Sequence, residues 1–421
     1  MANYQKIKGT QDFYDLSARK LTFIENFASN VATNYGCKHI ITPIFEGTEV
    51  FVKNVGEDSD VVTKEMYTFL DKGNRSITLR PEGTAAVARS FIENKMYANP
   101  GLTKYYYYGP MFRYERPQVG RFREFNQFGI EVYGNASYLL DVDVILAAYN
   151  IFNGLGIKNV TVKVNSIGNF ESRQNYSKAL KEYFEKHIDT MCEDCKRRIN
   201  TNPMRILDCK VDKNHEALNN VPVINDYLTA ESKEYFENVV RVLEEFNVPI
   251  KIDYNLVRGL DYYTDTVFEF IINSDDELNG LALGGGGKYA SMISSMCGVD
   301  VPGIGFAFGL ERISAIMDKQ DIWNDLLDEK TKVVVMGLDD LSKLESLKFV
   351  DELRKAGFEA HIDYNSCAMK AQFKLADRLN AKFIVIIGEE ERLSSVYTVK
   401  NTELKTQEKI NKNEIIRYMR G

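Results

Sequence analysis

The segment Met111-Phe112-Arg113-Tyr114-Glu115-Arg116-Pro117-Gln118-Val119-Gly120-Arg121-Phe122-Arg123-Glu124-Phe125-Asn126-Gln127 sets four arginines around one turn, with an aromatic on the returning strand. Guanidinium groups are rigid forks of donors that match phosphate oxygens, and an aromatic face suits a purine. Surface ion pairs with Glu115 and Glu124 explain any single arginine more simply. They do not explain the alternation of the returning strand. Phe128, Ile130 and Val132 are apolar, whereas Arg123, Gln127 and Glu131 are polar, so one face of the strand enters a core and the other carries an array of polar groups.

Three further segments bear chemistry. Leu79-Arg80-Pro81-Glu82-Gly83-Thr84 precedes an Ala-rich helix start, with Thr84 a candidate N-cap and Glu82 a carboxylate able to hold an ammonium. Alone, it reads as a capped turn. In Val257-Arg258-Gly259-Leu260-Asp261-Tyr262-Tyr263-Thr264, an arginine and two adjacent tyrosines would be out of place in a core. Gly303-Ile304-Gly305-Phe306-Ala307-Phe308-Gly309-Leu310-Glu311-Arg312 reads as a strand feeding a helix; its glycines permit close backbone approach and Arg312 arrives on the first turns.

The elements that position these residues follow from periodicity. Leu21, Ile24, Phe27, Ala28 and Val31 predict a helix ended by Gly36, and His39–Thr42 a strand stopped by Pro43. Two long strands joined by the Arg-rich turn span 105–133. From Phe170 to Asn247 the pattern is helical, rich in Lys and Glu, before strands resume at Ile250. After 330, strands at 332–338, 359–364 and 382–388 alternate with helices at 341–356 and 369–380, which predicts a small α/β domain. That domain has neither a Gly-x-Gly-x-x-Gly turn nor a Walker loop, so the chemistry is expected elsewhere.

Cys192-Glu193-Asp194-Cys195 has zinc-type spacing, with Cys209 and His215 further on. A second close Cys pair is missing, so free thiols in a helical insert are expected and structural zinc is not. The balance of 53 basic against 60 acidic residues gives a net charge of −7, which argues against non-specific coating of nucleic acid but not against a local basic surface for one RNA. No apolar run approaches the roughly 18–20 residues of a membrane span, and the first residues lack the apolar core of a secretory signal. Six cysteines in 421 residues make no disulfide scaffold, which points to a reducing cytoplasm.

Together these segments, with Lys6-Ile7-Lys8-Gly9-Thr10-Gln11-Asp12 near the start, resemble the histidyl-tRNA synthetases, a family of class II aminoacyl-tRNA synthetases, over essentially the whole chain. The Arg-rich hairpin and the segment leading to Arg312 resemble the second and third class II motifs. The first helix, strand and Pro43 resemble the first, which in that family forms the dimer interface. The resemblance implies an α+β fold: an antiparallel-sheet catalytic domain (1–169 and 248–328), a helical insertion (170–247) and a C-terminal α/β anticodon-binding domain (329–421). It implies ligation of histidine to its tRNA by a homodimer through a histidyl-adenylate, with ATP and Mg2+ and no organic cofactor.

By the same resemblance Arg258 and Arg113 carry the catalytic charge. Glu82, Gly83, Thr84, Arg113, Gln127, Glu131, Arg258, Tyr262 and Tyr263 bind histidine; Arg113, Glu115, Arg121, Phe125 and Arg312 bind ATP; Arg116 and Gln118 meet the tRNA acceptor end. Lys400, Lys405, Lys409, Lys412 and Arg417 are consistent with RNA contact in the tail and equally with a solvated surface. One departure stands out. The family usually shows Gly-Gly-Gly-Arg-Tyr-Asp where this chain has Gly285-Gly286-Gly287-Lys288-Tyr289-Ala290, which puts in doubt any role at Lys288 or Ala290. The alternative is the histidine-sensing regulatory subunit of an ATP phosphoribosyltransferase, a paralogue that usually lacks the C-terminal domain and part of the arginine set.

Overall fold

The computed structural model describes residues 4–56, 59, 61–116, 120–209, 211–257, 262–290, 292–323, 326–327, 330–365 and 367–420. Two units separate, 1–327 and 328–421.

In the first unit the helices are α1 (Asp15–Asn34), α2 (Thr48–Val55), α3 (Thr84–Glu93), α4 (Tyr138–Gly154), α5 (Phe170–Phe184), α6 (Glu193–Thr201), α7 (Ala230–Glu245), α8 (Met292–Cys297) and α9 (Leu310–Lys319). The strands are β1 (Lys38–His39), β2 (Phe45–Gly47), β3 (Tyr67–Leu70), β4 (Ser76–Leu79), β5 (Thr103–Phe112), β6 (Glu124–Tyr133), β7 (Val160–Ser166), β8 (Ile250–Ile252), β9 (Thr264–Ile272), β10 (Ala282–Tyr289) and β11 (Gly303–Gly309). Among the described residues, eight strands form one sheet in the order β1-β5-β6-β11-β10-β9-β7-β8. Its pairs are antiparallel except at the two edges, where β1 runs parallel to β5 and β8 to β7.

Strand parity sorts the sheet into two faces. Phe128, Ile130 and Val132 of β6 join the core beneath α1, α4, α7 and α9, as the alternation predicts. Helix α4 is buried on several sides, with Val144, Ile145, Ala148, Ile151 and Phe152 all in that core, because α1 and α7 flank it. Phe236, Val239, Val242 and Leu243 bring α7 into the same core, although it follows α5 and α6 in sequence. The opposite face carries Tyr107, Tyr133, Val267 and Tyr289 against α3, α5 and α6, and there the sheet is left partly open.

In the second unit β12 (Lys332–Gly337), α10 (Asp340–Lys355), β13 (Glu359–His361), α11 (Met369–Leu379), β14 (Phe383–Ile387), α12 (Glu389–Ser394), β15 (Val396–Asn401), β16 (Thr406–Asn411) and α13 (Lys412–Arg420) follow in order. The sheet reads β13-β12-β14-β15-β16, parallel over its first three strands and antiparallel after. Val333 and Val335 enter one core while Val334 and Met336 enter another, so both faces of β12 are covered. That accounts for its unbroken apolar run.

The strand expected at His39–Thr42 is shorter. Pairing ends when Ile40 donates to the Tyr106 carbonyl at 2.9 Å, after which Ile41 turns outward, 80% exposed. Thr42 instead offers its carbonyl and hydroxyl oxygens to the buried Arg80, both at 3.0 Å. Pro43 has no N–H to continue a ladder.

Candidate active site

The open face of the large sheet holds a cavity of about 270 Å3. It gathers residues that the sequence places far apart: Glu82 and Thr84 before and in α3, Gln127 and Glu131 on β6, Tyr262 and Tyr263 before β9, and Arg113, Arg121, Phe125 and Arg312 around the hairpin and α9.

One end is acidic and buried. Glu131 is 1% exposed; its carboxylate accepts from the Thr84 hydroxyl at 2.6 Å and from the Tyr289 hydroxyl. Burial pushes its pKa up to about 8. The space for this carboxylate exists because residue 305 is glycine: a Cβ there would stand 2.0 Å from Glu131 Oε2. Glu82 is also buried and raised by burial. It accepts from the backbone N–H groups of Thr84 (2.7 Å) and Ala85 (2.8 Å). The cap of α3 is therefore the Glu82 carboxylate, and the Thr84 hydroxyl expected there is committed to Glu131 instead. Gln127 is fixed beside them, its carbonyl oxygen accepting from Gly83 N at 3.1 Å and from the Tyr107 hydroxyl at 3.2 Å. Tyr262 and Tyr263 complete the wall, rings 4.5 Å apart, with the phenol of Tyr262 kept neutral by burial. Two buried carboxylates with this few cations beside them make a pocket that a cationic or N–H-rich ligand would complete.

The other end is basic. Arg113 anchors through Nε to the Pro81 carbonyl at 2.7 Å and stands 5.5 Å from the centre of the Phe125 ring. Glu115 lies between Arg113 (3.9 Å) and Arg121 (3.5 Å), so the simple ion-pair reading is half right: the contacts are long, and both guanidiniums still line the cavity. Arg312 donates to the Ala282 carbonyl at 3.2 Å, and burial, then repulsion by Arg121, lowers its pKa. Three guanidiniums held this close favour an anion between them.

Not every expected residue joins this set. Arg116 is exposed and does not line the cavity, and Gln118 lies outside the described residues. Arg258, with Gly259, Leu260 and Asp261, also lies outside them. Arg123 packs its guanidinium 3.8 Å from the centre of the Tyr114 ring, a structural contact. Lys288 faces the helix-covered side, donating to the Ala136 carbonyl at 3.3 Å, pairing with Asp265 at 3.6 Å and lying 4.1 Å over Tyr235. Its departure from the family pattern therefore falls away from the cavity, and Ala290 contributes a backbone N–H to Thr264 at 3.1 Å.

Sequence reasoning missed three participants. Glu269 lines the cavity from β9. Tyr289 holds Glu131, and Tyr107 fills the space left by Gly83 and Gly129, where a Cβ would stand 2.2 and 2.4 Å from its ring and hydroxyl. The glycine run ending in Lys288-Tyr289 was the available signal for Tyr289; Tyr107 had none within its run of tyrosines.

In the cysteine cluster, His215 is turned away. Its Nε2 meets the Thr190 hydroxyl at 3.1 Å and its Nδ1 accepts from Ala217 N at 3.2 Å.

The family model described as histidyl-tRNA synthetase matches residues 9–313, and that described as anticodon binding domain matches 332–421. The histidine–tRNA ligases of Bacillus velezensis and Bacillus subtilis are 45% and 44% identical to this chain over 420 residues, 99% of each chain. The crystal structure of apo histidyl-tRNA synthetase from S. aureus is similar with a TM-score of 0.84 at 38% identity, covering 99% of this chain and 100% of that one.

Proposed function

This chain belongs to the histidyl-tRNA synthetase family, and from that premise we propose how its cavity performs the reaction. It is a class II aminoacyl-tRNA synthetase that ligates histidine to tRNA; the regulatory-subunit alternative has no better support. The residue roles are our assignment.

The observation that carries it is the division of one cavity into an acidic and a basic end. A substrate with an ammonium and an imidazole at one end, and a carboxylate directed at a triphosphate, matches that division. Glu131 and the Tyr262–Tyr263 wall read the imidazole, while Glu82, Gly83, Thr84 and Gln127 hold the α-ammonium. This places the histidine carboxylate beside Arg113. One carboxylate oxygen then attacks the α-phosphorus and pyrophosphate leaves, forming histidyl-adenylate. Arg113 and Arg258 offset the charge gathered as two anions meet, and Arg121 with Glu115 orients the outer phosphates. Adenine stacks between Phe125 and Arg312, as a planar ring and a planar cation favour. A terminal ribose hydroxyl of the tRNA next attacks the activated carbonyl and releases AMP. Arg116 and Gln118 steer that end, and the second unit binds the anticodon. Glu269, which lines the cavity, would supply the kind of oxygen donor taken by the Mg2+ that accompanies ATP.

We place the enzyme in the cytoplasm as a homodimer, with residues 170–247 as an insertion into a catalytic domain of 1–169 and 248–328. In support of the dimer, Ile41 (80% exposed), Ile44 and Phe45 follow the short edge strand β1 as apolar surface. No described helix is long and apolar enough to cross a membrane.

Steady-state pyrophosphate exchange tests the assignment. Phe125→Ala should raise KM for ATP about tenfold, as loss of a stacking contact of about 1–1.5 kcal/mol requires, with KM for histidine unchanged. An effect confined to histidine would reverse the two ends of the cavity.

A further inference from the structure

We propose that Cys192, Cys195, Cys209 and Asp212 form a zinc site in the segment between β7 and β8. Their ligand atoms, three Sγ and a carboxylate oxygen, all lie within 4.8 Å of one another. Read with Asp212 in place of His215, the spacing gains the second close pair that cysteines alone lack: Cys-x2-Cys followed by Cys-x2-Asp.

The distances suit a metal better than a disulfide. Cys192 Sγ and Cys209 Sγ are 3.6 Å apart. Tetrahedral zinc with Zn–S of about 2.3 Å requires sulfurs roughly 3.8 Å apart, whereas a disulfide requires about 2.05 Å. Cys195 and Cys209 are buried, and Cys192 is partly so. Cys192 stands at the N-cap of α6 and Cys195 on its first turn, so one turn of helix presents both sulfurs to the same point. Asp212 N donates to Cys209 Sγ at 3.4 Å, and Asp212 Oδ2 accepts from Cys192 N at 3.0 Å. Such backbone donors orient ligands around a metal and offset their charge. A set of three sulfurs and one oxygen selects zinc over the hard ion that accompanies ATP.

The fold gives this ion work to do. Between α6 and α7 the described chain has only single-turn helices, at Pro203–Ile206, Glu216–Leu218 and Ile224–Tyr227. A metal joining the start of α6 to residues 209 and 212 closes that irregular stretch where hydrogen-bonded structure is sparse. Asp194, between the first two ligands, is paired with Lys64 at 2.7 Å. The site therefore also fixes a contact between the segment and the rest of the first unit.

The test is metal content and cobalt spectroscopy on the full chain, purified without chelator. We expect about one zinc per chain by mass spectrometry of metals, as one tetrahedral site requires. After stripping, cobalt(II) alone should restore visible d–d bands of a tetrahedral thiolate site. Cys195→Ser should abolish those bands, and His215→Ala should leave them intact. Because Cys195→Ser could fail to fold, the wild-type titration decides. Metal-free protein that gives no such bands with cobalt would overturn the proposal, and so would a Cys192–Cys209 disulfide found by peptide mapping. Loss of the bands in His215→Ala would overturn the ligand set.

Discussion

Glu131 holds its proton far beyond the ordinary glutamate range, and that has a consequence at the residue scale. The unfolded chain releases this proton near a pKa of about 4.3, whereas the folded chain keeps it until about 8. The contribution to stability is complete below the lower value and is lost as pH rises through the upper one, since the folded state binds more protons in between. Thermal unfolding of ligand-free protein should show wild type losing more stability than Glu131→Gln between pH 5 and pH 8; equal losses would deny the shift. Bound imidazole can take up the proton that Glu131 holds, leaving a charged hydrogen bond of about 1.5–3 kcal/mol, so the same variant should lower kcat/KM for histidine in pyrophosphate exchange by about 10- to 100-fold. Glu131 was legible in the sequence as a polar residue of the correct parity. Its partners Thr84 and Tyr289 were not paired with it there, because they come from α3 and β10 and meet only in the folded sheet.

At the scale of elements, β6 separates stability from chemistry between neighbours. Ile130 is in the core and Glu131 in the cavity. Ile130→Ala should cost roughly 2–5 kcal/mol in denaturant unfolding while the folded fraction keeps its preference for histidine. Comparable loss of preference would mean that the two faces are not independent. Gly305→Ala probes the same sheet from β11. Its methyl would meet the Glu131 carboxylate, so histidine-dependent exchange should fall at least tenfold while β-sheet circular dichroism is retained. The long hairpin and the alternating second unit could be read from period and punctuation alone. The brevity of β1 and the capping of α3 by Glu82 could not, since each depends on a side chain binding distant or unexpected backbone groups.

At the scale of the whole molecule, charge is arranged locally and not in bulk. A net −7 protein concentrates three arginines at one end of its cavity. Of the tail cations, Lys409 is paired with Glu390 at 3.0 Å, and Lys412 with Glu345 and Glu352 at 3.1 and 2.9 Å. These two therefore serve the second unit's own surface before any RNA. The proposed dimer, if built on the apolar edge beyond β1, predicts that Ile41→Asp halves the mass seen by light scattering; an unchanged mass would move the interface elsewhere. Activation of histidine in this cavity can be measured as pyrophosphate exchange into ATP across all twenty amino acids without tRNA. Exchange with histidine alone is the predicted result. Absence of exchange from protein that still binds histidine would contradict it.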